Sequence, residues 1–193
     1  GKFLEMYLQH LPFKELDRFC GNPSAVFQKL VSHPTPDAYY DAMAPRSEDY
    51  QRISFPILTI TGHYDDDQPG AMEYYKRHMT YGSEEAKANH FLILGPWDHA
   101  GTRTPSRDVG GLRFGEASLV DLNKLHKEWY DWTMKDGRKP DFLKKRVAYY
   151  VVGPGAECWK YADYLEAIAS EKRLMYLHSN GAANDAFSSG TLG

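Results

Sequence analysis

Only two of the 193 residues are cysteine, and Cys20 and Cys158 lie far apart in the chain. That spacing excludes a disulfide framework and a Cys-x-x-Cys metal pair, and it leaves the redox compartment open. Excess basic charge is absent too: 23 Lys and Arg stand against 26 Asp and Glu, a formal net charge of −3. With no basic field to gather a phosphate backbone, nucleic acid is not expected as a partner. No apolar run approaches the roughly 20 residues needed to cross a bilayer. The N-terminus lacks the charged and apolar regions of a secretory signal, and no membrane partner is expected. An initiator Met is missing before Gly1-Lys2-Phe3, so the sequence reads as a piece of something longer. Compartment is left open among cytoplasmic, periplasmic and secreted, and so is oligomeric state, a homo-oligomer included.

What is present is an ordinary globular composition, 42% hydrophobic and 25% charged, arranged in three stretches. Residues 1–52 are broken into short pieces by Pro12, Pro23, Pro34, Pro36 and Pro45, because proline ends helices and disfavours the α region before it. In two of those pieces apolar residues recur at helical spacing: Phe3, Leu4, Tyr7 and Leu8, then Val26, Phe27, Leu30 and Val31. Such pieces rarely build a core alone and more often cap another domain. From residue 53 the rhythm changes. Phe55 to Thr61 is an apolar, β-branched run closed by Gly62, as a buried parallel strand requires. Pro69 stands where a first helical turn would begin, and the helix continues over Ala71 to Met79. A second run, Phe91 to Leu94, ends in Gly95-Pro96-Trp97-Asp98-His99. Strand, helix, strand makes a βαβ unit. Asp121 to Asp136 then reads as an amphipathic helix with Leu122, Leu125, Trp129 and Trp132 on one stripe, Asp121 as N-cap and Gly137 as the residue past the C-cap. Beyond residue 144, Arg146 to Val152 and Leu174 to Leu177 are short strand-like runs, and Gly153-Pro154-Gly155 is a turn.

In open α/β sheets functional groups gather in loops at the carboxyl ends of strands. Here those loops carry Asp65, Asp66 and Asp67 in one case and His99 in the other. A carboxylate beside an imidazole is the orienting half of a nucleophilic triad, since the acid fixes the tautomer and stabilises the imidazolium. Acid before histidine matches the chain order of α/β-hydrolases. The nucleophile is the missing member: no Gly-x-Ser-x-Gly elbow occurs in the 193 residues, and in that order it belongs upstream of the acid.

These residues resemble the cocaine esterase and α-amino-acid ester hydrolase family, relatives of the X-Pro dipeptidyl-peptidases. The resemblance rests on Leu11-Pro12-Phe13 with Asp17-Arg18 and Gly21, and on His33-Pro34-Thr35 with Asp37 and Tyr39-Tyr40. It continues through Ile53 and Pro56 into Gly62-His63-Tyr64-Asp65, then Gly95-Pro96-Trp97-Asp98-His99 and Trp129-Tyr130-Asp131. It implies an α/β fold, specifically an α/β-hydrolase fragment: a partial parallel sheet with flanking helices. Residues 1–52 would be the end of a helical cap domain, 53–143 the C-terminal part of the hydrolase domain, and 144–193 the start of a β-rich jelly-roll domain. Asp65 would be the triad acid and His99 the general base, acting without cofactor or metal on a small-molecule ester or amide or a short peptide. Asp67 matches one carboxylate of a cluster that binds a substrate ammonium in some members, whereas Gln68 replaces the other.

Other readings of the same residues stay open. The aspartates can be a solvated turn or charges favoured by a helix N-terminus. His63 with its neighbouring aspartates offers Ca²⁺ or Zn²⁺ ligands, though no HExxH or EF-hand spacing is present, which keeps a metal-dependent hydrolase using the Asp65–Asp67 loop as an alternative. A non-catalytic sugar- or peptide-binding module is the other. Trp97 reads as packing, Asp98 as structural, and Tyr39 and Tyr40 as either acyl-pocket lining or the underside of a cap.

Overall fold

The computed structural model describes residues 1–153, 158–169, 171, 173–179 and, for backbone alone, 191–192. Two compact units divide the chain, Gly1–Arg52 and Ile53–Gly193.

The first unit is five short helices: α1 (Lys2–Leu8), α2 (Leu16–Phe19), α3 (Ala25–Val31), α4 (Ala38–Asp41) and α5 (Ser47–Gln51). Helices of four to seven residues are marginal by themselves, and side-chain carboxylates and a hydroxyl hold the N-terminal ends of α3, α4 and α5. Asp17 accepts hydrogen bonds from the Arg18 and Ser24 amides at 2.8 Å and from the Gln28 side chain at 2.9 Å. The Ser24 amide above all holds the Asp17 carboxyl below its ordinary value, against the opposing effect of burial. Ser24 and Asp37 cap α3 and α4 through the Phe27 and Tyr39 amides. The expected helical stripe is helical but is not the buried face: Phe3, Leu4, Tyr7 and Leu8 are exposed, and Met6 is the buried side chain of α1.

The second unit is an α/β sandwich. β1 (Ile57–Gly62) leads into α6 (Gln68–Tyr81) and α7 (Glu84–Ala88), then β2 (His90–Gly95). A two-residue hairpin, β3 (Asp108–Val109) and β4 (Leu112–Arg113), precedes α8 (Leu122–Met134), β5 (Val147–Val151) and β6 (Cys158–Ala162). β7 (Leu177–His178) pairs with β8 (Thr191–Leu192) in a separate two-stranded ladder. The main sheet has the order β1-β2-β5-β6, with β1, β2 and β5 parallel and β6 antiparallel to β5. It therefore continues past residue 144, where the sequence placed the end of the hydrolase part. Pro154 and Gly155 of the expected turn lie outside the described residues.

Every residue of β2 is buried, because the strand is covered on both faces. Phe91 and Ile93 join Leu122, Leu125 and Trp129 of α8 on one face, and Leu92 and Leu94 join Tyr75 of α6 on the other. This is the period-2 alternation that a central parallel strand spends on two cores. The stripe on α8 packs as its spacing predicts, and the Asp121 carboxylate accepts from the Lys124 amide at 2.9 Å. At the other end the left-handed residue is Asp136, with φ 52°, and not Gly137. Gly137 is needed for closeness: its amide donates to Asp131 O at 2.9 Å, and a Cβ there would lie 2.7 Å from that oxygen. Among the described residues no helix is long and apolar enough to cross a membrane.

Candidate active site

β1 and β2 run in parallel register to Gly62↔Gly95, so their exit loops leave the sheet side by side. The β1 loop turns at once: the Asp65 amide donates to Gly62 O and the Gln68 amide to Asp65 O, and Pro69 then opens α6. The β2 loop is fixed by Trp97, which is fully buried and donates its indole N–H to Ser118 O at 2.9 Å. Three glycines admit it. A Cβ on Gly62 would stand 2.0 Å from Trp97 O, one on Gly95 2.1 Å from the indole, and one on Gly101 2.7 Å from Trp97 Cβ. Asp98 accepts from the Gly101 amide at 2.9 Å, and Thr102 donates to His99 O at 2.7 Å, closing a short 3₁₀ turn over Ala100–Thr102.

These loops bring together residues 34 apart in sequence: His99 Nδ1 lies 3.1 Å from Asp65 Oδ1. A carboxylate only accepts when ionised, so Nδ1 carries the proton and Nε2 presents the lone pair of the neutral ring. Nε2 has no hydrogen-bond partner among the described residues. The Asp65 side chain is 6% exposed and that of His99 46%, a sheltered acid behind an accessible imidazole. Thr61 Oγ1 donates to Asp65 Oδ2 at 3.2 Å, and the Asp67 amide donates to Oδ1 at 3.1 Å. Burial works to raise the Asp65 carboxyl, but the Asp67 amide, the His99 ring and the Thr61 hydroxyl together hold it below the ordinary carboxylate value. Asp65 stays the anion.

The third candidate, Asp67, comes to the same nitrogen: its Oδ2 is 3.3 Å from His99 Nδ1. Donor atoms of Asp65, Asp67 and His99 all lie within 4.8 Å of one another, a set chemically able to hold a divalent cation. His63, which the sequence offered as a ligand beside the aspartates, is not in that set; its Nε2 is 2.8 Å from Tyr150 O. Asp66 is exposed. Gln68 donates to Gly62 O at 3.0 Å, so its amide serves the loop. Tyr39 and Tyr40 pack around His33 in the first unit, Tyr39 stacked at 4.3 Å and Tyr40 donating its hydroxyl to His33 O at 3.1 Å. Thr61 was missed by the sequence reading. It sits four residues before Asp65 at the end of a β-branched strand, and its polarity there was the one signal available.

A buried polar pair away from this site was also missed. His90 of β2 and His78 of α6 approach at 2.9 Å between Nδ1 atoms, and Thr59 Oγ1 lies 2.8 Å from His90 Nε2. Burial, with His78 adding to it, pushes His90 down to about 3.

No protein-family model matches the chain, and no curated protein matches it. Solved structures do share its fold. The crystal structure of an aminopeptidase from a marine sediment archaeon, Thaumarchaeota archaeon, superposes with a TM-score of 0.70 at 22% identity, over 94% of this chain and 29% of that one. An α-amino-acid ester hydrolase superposes with a TM-score of 0.61 at 19% identity, over 79% of this chain and 25% of the other. At these identities the likeness is one of fold. The chain spans under a third of either protein.

Proposed function

We propose that this chain contributes the acid and the general base of a serine hydrolase that cleaves an ester or amide bond. The observation that carries the reading is the Asp65–His99 hydrogen bond through Nδ1, made at the carboxyl ends of adjacent parallel strands, with Nε2 bonded to none of the described residues. In the mechanism a serine upstream of Gly1 attacks the substrate carbonyl. His99 Nε2 takes the hydroxyl proton as the bond forms and returns it to the leaving group, and Asp65 stabilises the imidazolium between those steps. Water repeats the sequence to release the acid. The fold of the two hydrolase structures supports the class of reaction. Residues 1–52 are read as the end of a cap, β1 to β6 as the closing half of the hydrolase sheet, and the remainder of 144–193 as the approach to a jelly roll. Asp67 is read as the carboxylate available to a substrate ammonium, as in an α-amino acyl or X-Pro substrate.

The test is a fluorophosphonate with the intact protein. One covalent adduct by intact mass, on a serine outside residues 1–193 and lost in His99→Ala, is the expected result. Turnover close to normal in His99→Ala overturns the assignment. A second reading, metal-dependent hydrolysis, is favoured by the convergence of Asp65, Asp67 and His99. It predicts loss of activity on chelation, restoration by Zn²⁺ or Mn²⁺, and no adduct.

A further inference from the structure

The hydrogen-bond ladder at the top of the sheet has one proline in it. In the β1–β2 ladder the amide of Ile57 donates to Asn89 O, and the same pattern carried upward ends with the His63 amide on Gly95 O at 2.8 Å. In the β2–β5 ladder the Leu92 amide donates to Arg146 O at 2.8 Å, with Leu94 opposite Tyr149. Carried up by the two-residue repeat of a parallel ladder, Leu94 addresses Ala148 O, and residue 96 addresses Tyr150 O. Residue 96 is Pro96, which has no N–H. Tyr150 is a buried residue, and a buried carbonyl left without a donor is costly. A side chain comes to that carbonyl from elsewhere: His63 Nε2, 2.8 Å away and 87 residues distant in sequence.

We propose that His63 is a positioning residue whose imidazole supplies Tyr150 O with the hydrogen bond that Pro96 cannot give. The consequence reaches the site. His63 stands two residues before Asp65 on the β1 exit loop, and its neighbour Tyr64 donates its amide to Trp97 O at 3.0 Å. The loop bearing Asp65 is thereby tied on one side to the loop bearing His99 and on the other, across the proline gap, to β5. A carbonyl has no proton to give, so the bond requires the proton on Nε2 of His63. This inference rests on the serine-hydrolase reading for its effect on turnover, but not for the bond itself.

The experiment is a set of variants of the intact protein: His63→Leu, His63→Gln, Pro96→Ala, His63→Leu with Pro96→Ala, and His99→Ala. The Gln amide nitrogen sits as many bonds from Cβ as Nε2 and restores a donor. His63→Leu is expected to lower kcat by about 10²-fold, the cost of a catalytic group displaced by about 1 Å, with KM little changed. His63→Gln is expected to recover most of that loss. In the Pro96→Ala background a main-chain N–H returns, and the His63→Leu penalty should shrink by about tenfold or more. If His63→Leu alone does not fold, folding of the double variant is the same rescue, and its failure to fold overturns the proposal. Equal penalties in both backgrounds also overturn it, as does a neutral His63 ring found by ¹⁵N NMR with its proton on Nδ1. A fully active His99→Ala instead sinks the hydrolase reading, and the tautomer and the folding rescue then still decide the His63 bond.

Discussion

Each unit of the chain holds a histidine bonded to an aspartate, and the two pairs are built in opposite ways. In the first unit His33 Nδ1 meets Asp37 Oδ2 at 2.6 Å across one turn of chain. There the histidine is the sheltered partner, 21% exposed against 41% for the acid, and its ring is stacked on Tyr39. Asp37 is occupied with the Tyr39 amide as the cap of α4. In the second unit the acid is sheltered and the imidazole open. Proton transfer to a substrate needs a reachable nitrogen and an anion that stays anionic, and only the second arrangement offers both. A histidine four residues from an aspartate is an easy motif to find in a sequence. The pair that suits chemistry is the one that two parallel strands had to assemble.

The largest effect should separate the pairs outright. Asp65→Asn in the intact protein is expected to cost about 10⁴ in turnover, whereas Asp37→Asn should leave turnover unchanged; equal effects would remove the distinction. A histidine with no carboxylate at all extends the contrast. His90 is buried and held neutral in the fold down to about pH 3, while in the unfolded chain it binds a proton below about pH 6.5. Unfolded molecules therefore take up more protons across that interval, and stability falls, by several kcal/mol, as pH drops from about 6.5 toward 3. Urea titrations at stepped pH should show that slope flattened in His90→Gln. The carboxylates act lower: Asp37, held down by the His33 ring, and Asp65 stabilise the fold above about pH 3.9, and that contribution is lost as pH falls through their depressed values.

Smaller changes sharpen the picture. Asp67 is 76% exposed where it meets His99, and a charge so open to solvent is heavily screened. Asp67→Asn should change turnover by no more than about threefold on a substrate without an α-amino group; a loss of Asp65→Asn size would favour the metal reading. Smallest of all, Asp37→Ala should lower the urea midpoint slightly and speed hydrogen exchange at the Tyr39 amide, with kcat and KM unmoved.

The features legible in the sequence were those written locally. Gly62 and Gly95 punctuate two β-branched or apolar runs, and the loops they open carry Asp65 and His99. Asp121 announces α8 because an N-cap acts within three residues. Residues whose role is decided at long range were not legible. Val147 to Val151 has the same look whether it starts a new domain or extends the sheet, since strand partners are chosen by register across the fold. His78 and His90 read as polar letters in apolar faces, and nothing adjacent says that they meet each other. The helical spacing of Phe3, Leu4, Tyr7 and Leu8 is right about periodicity and silent about burial, because a four-residue cluster defines a face without saying what lies against it. Gly137 signals a helix end correctly but for a steric reason, with Asp136 taking the left-handed turn.

The indole of Trp97 and the glycines packed against residue 97 have a consequence for how this sequence can change over generations. A Cβ on Gly95 would run into the indole, whereas one on Gly62 would run into the main chain of residue 97 and one on Gly101 into its Cβ. Gly95 alone is therefore tied to the indole, and the other two are held by any residue there that carries a Cβ. Replacing Trp97 first would empty a fully buried volume and loosen the two loops that it separates. For Gly95 and Trp97 every single step is uphill from either direction. In a library of random variants Gly95 and Trp97 should therefore behave as a single inherited character, kept or abandoned together, with Gly62 and Gly101 staying glycine in either case, while Asp66 varies freely.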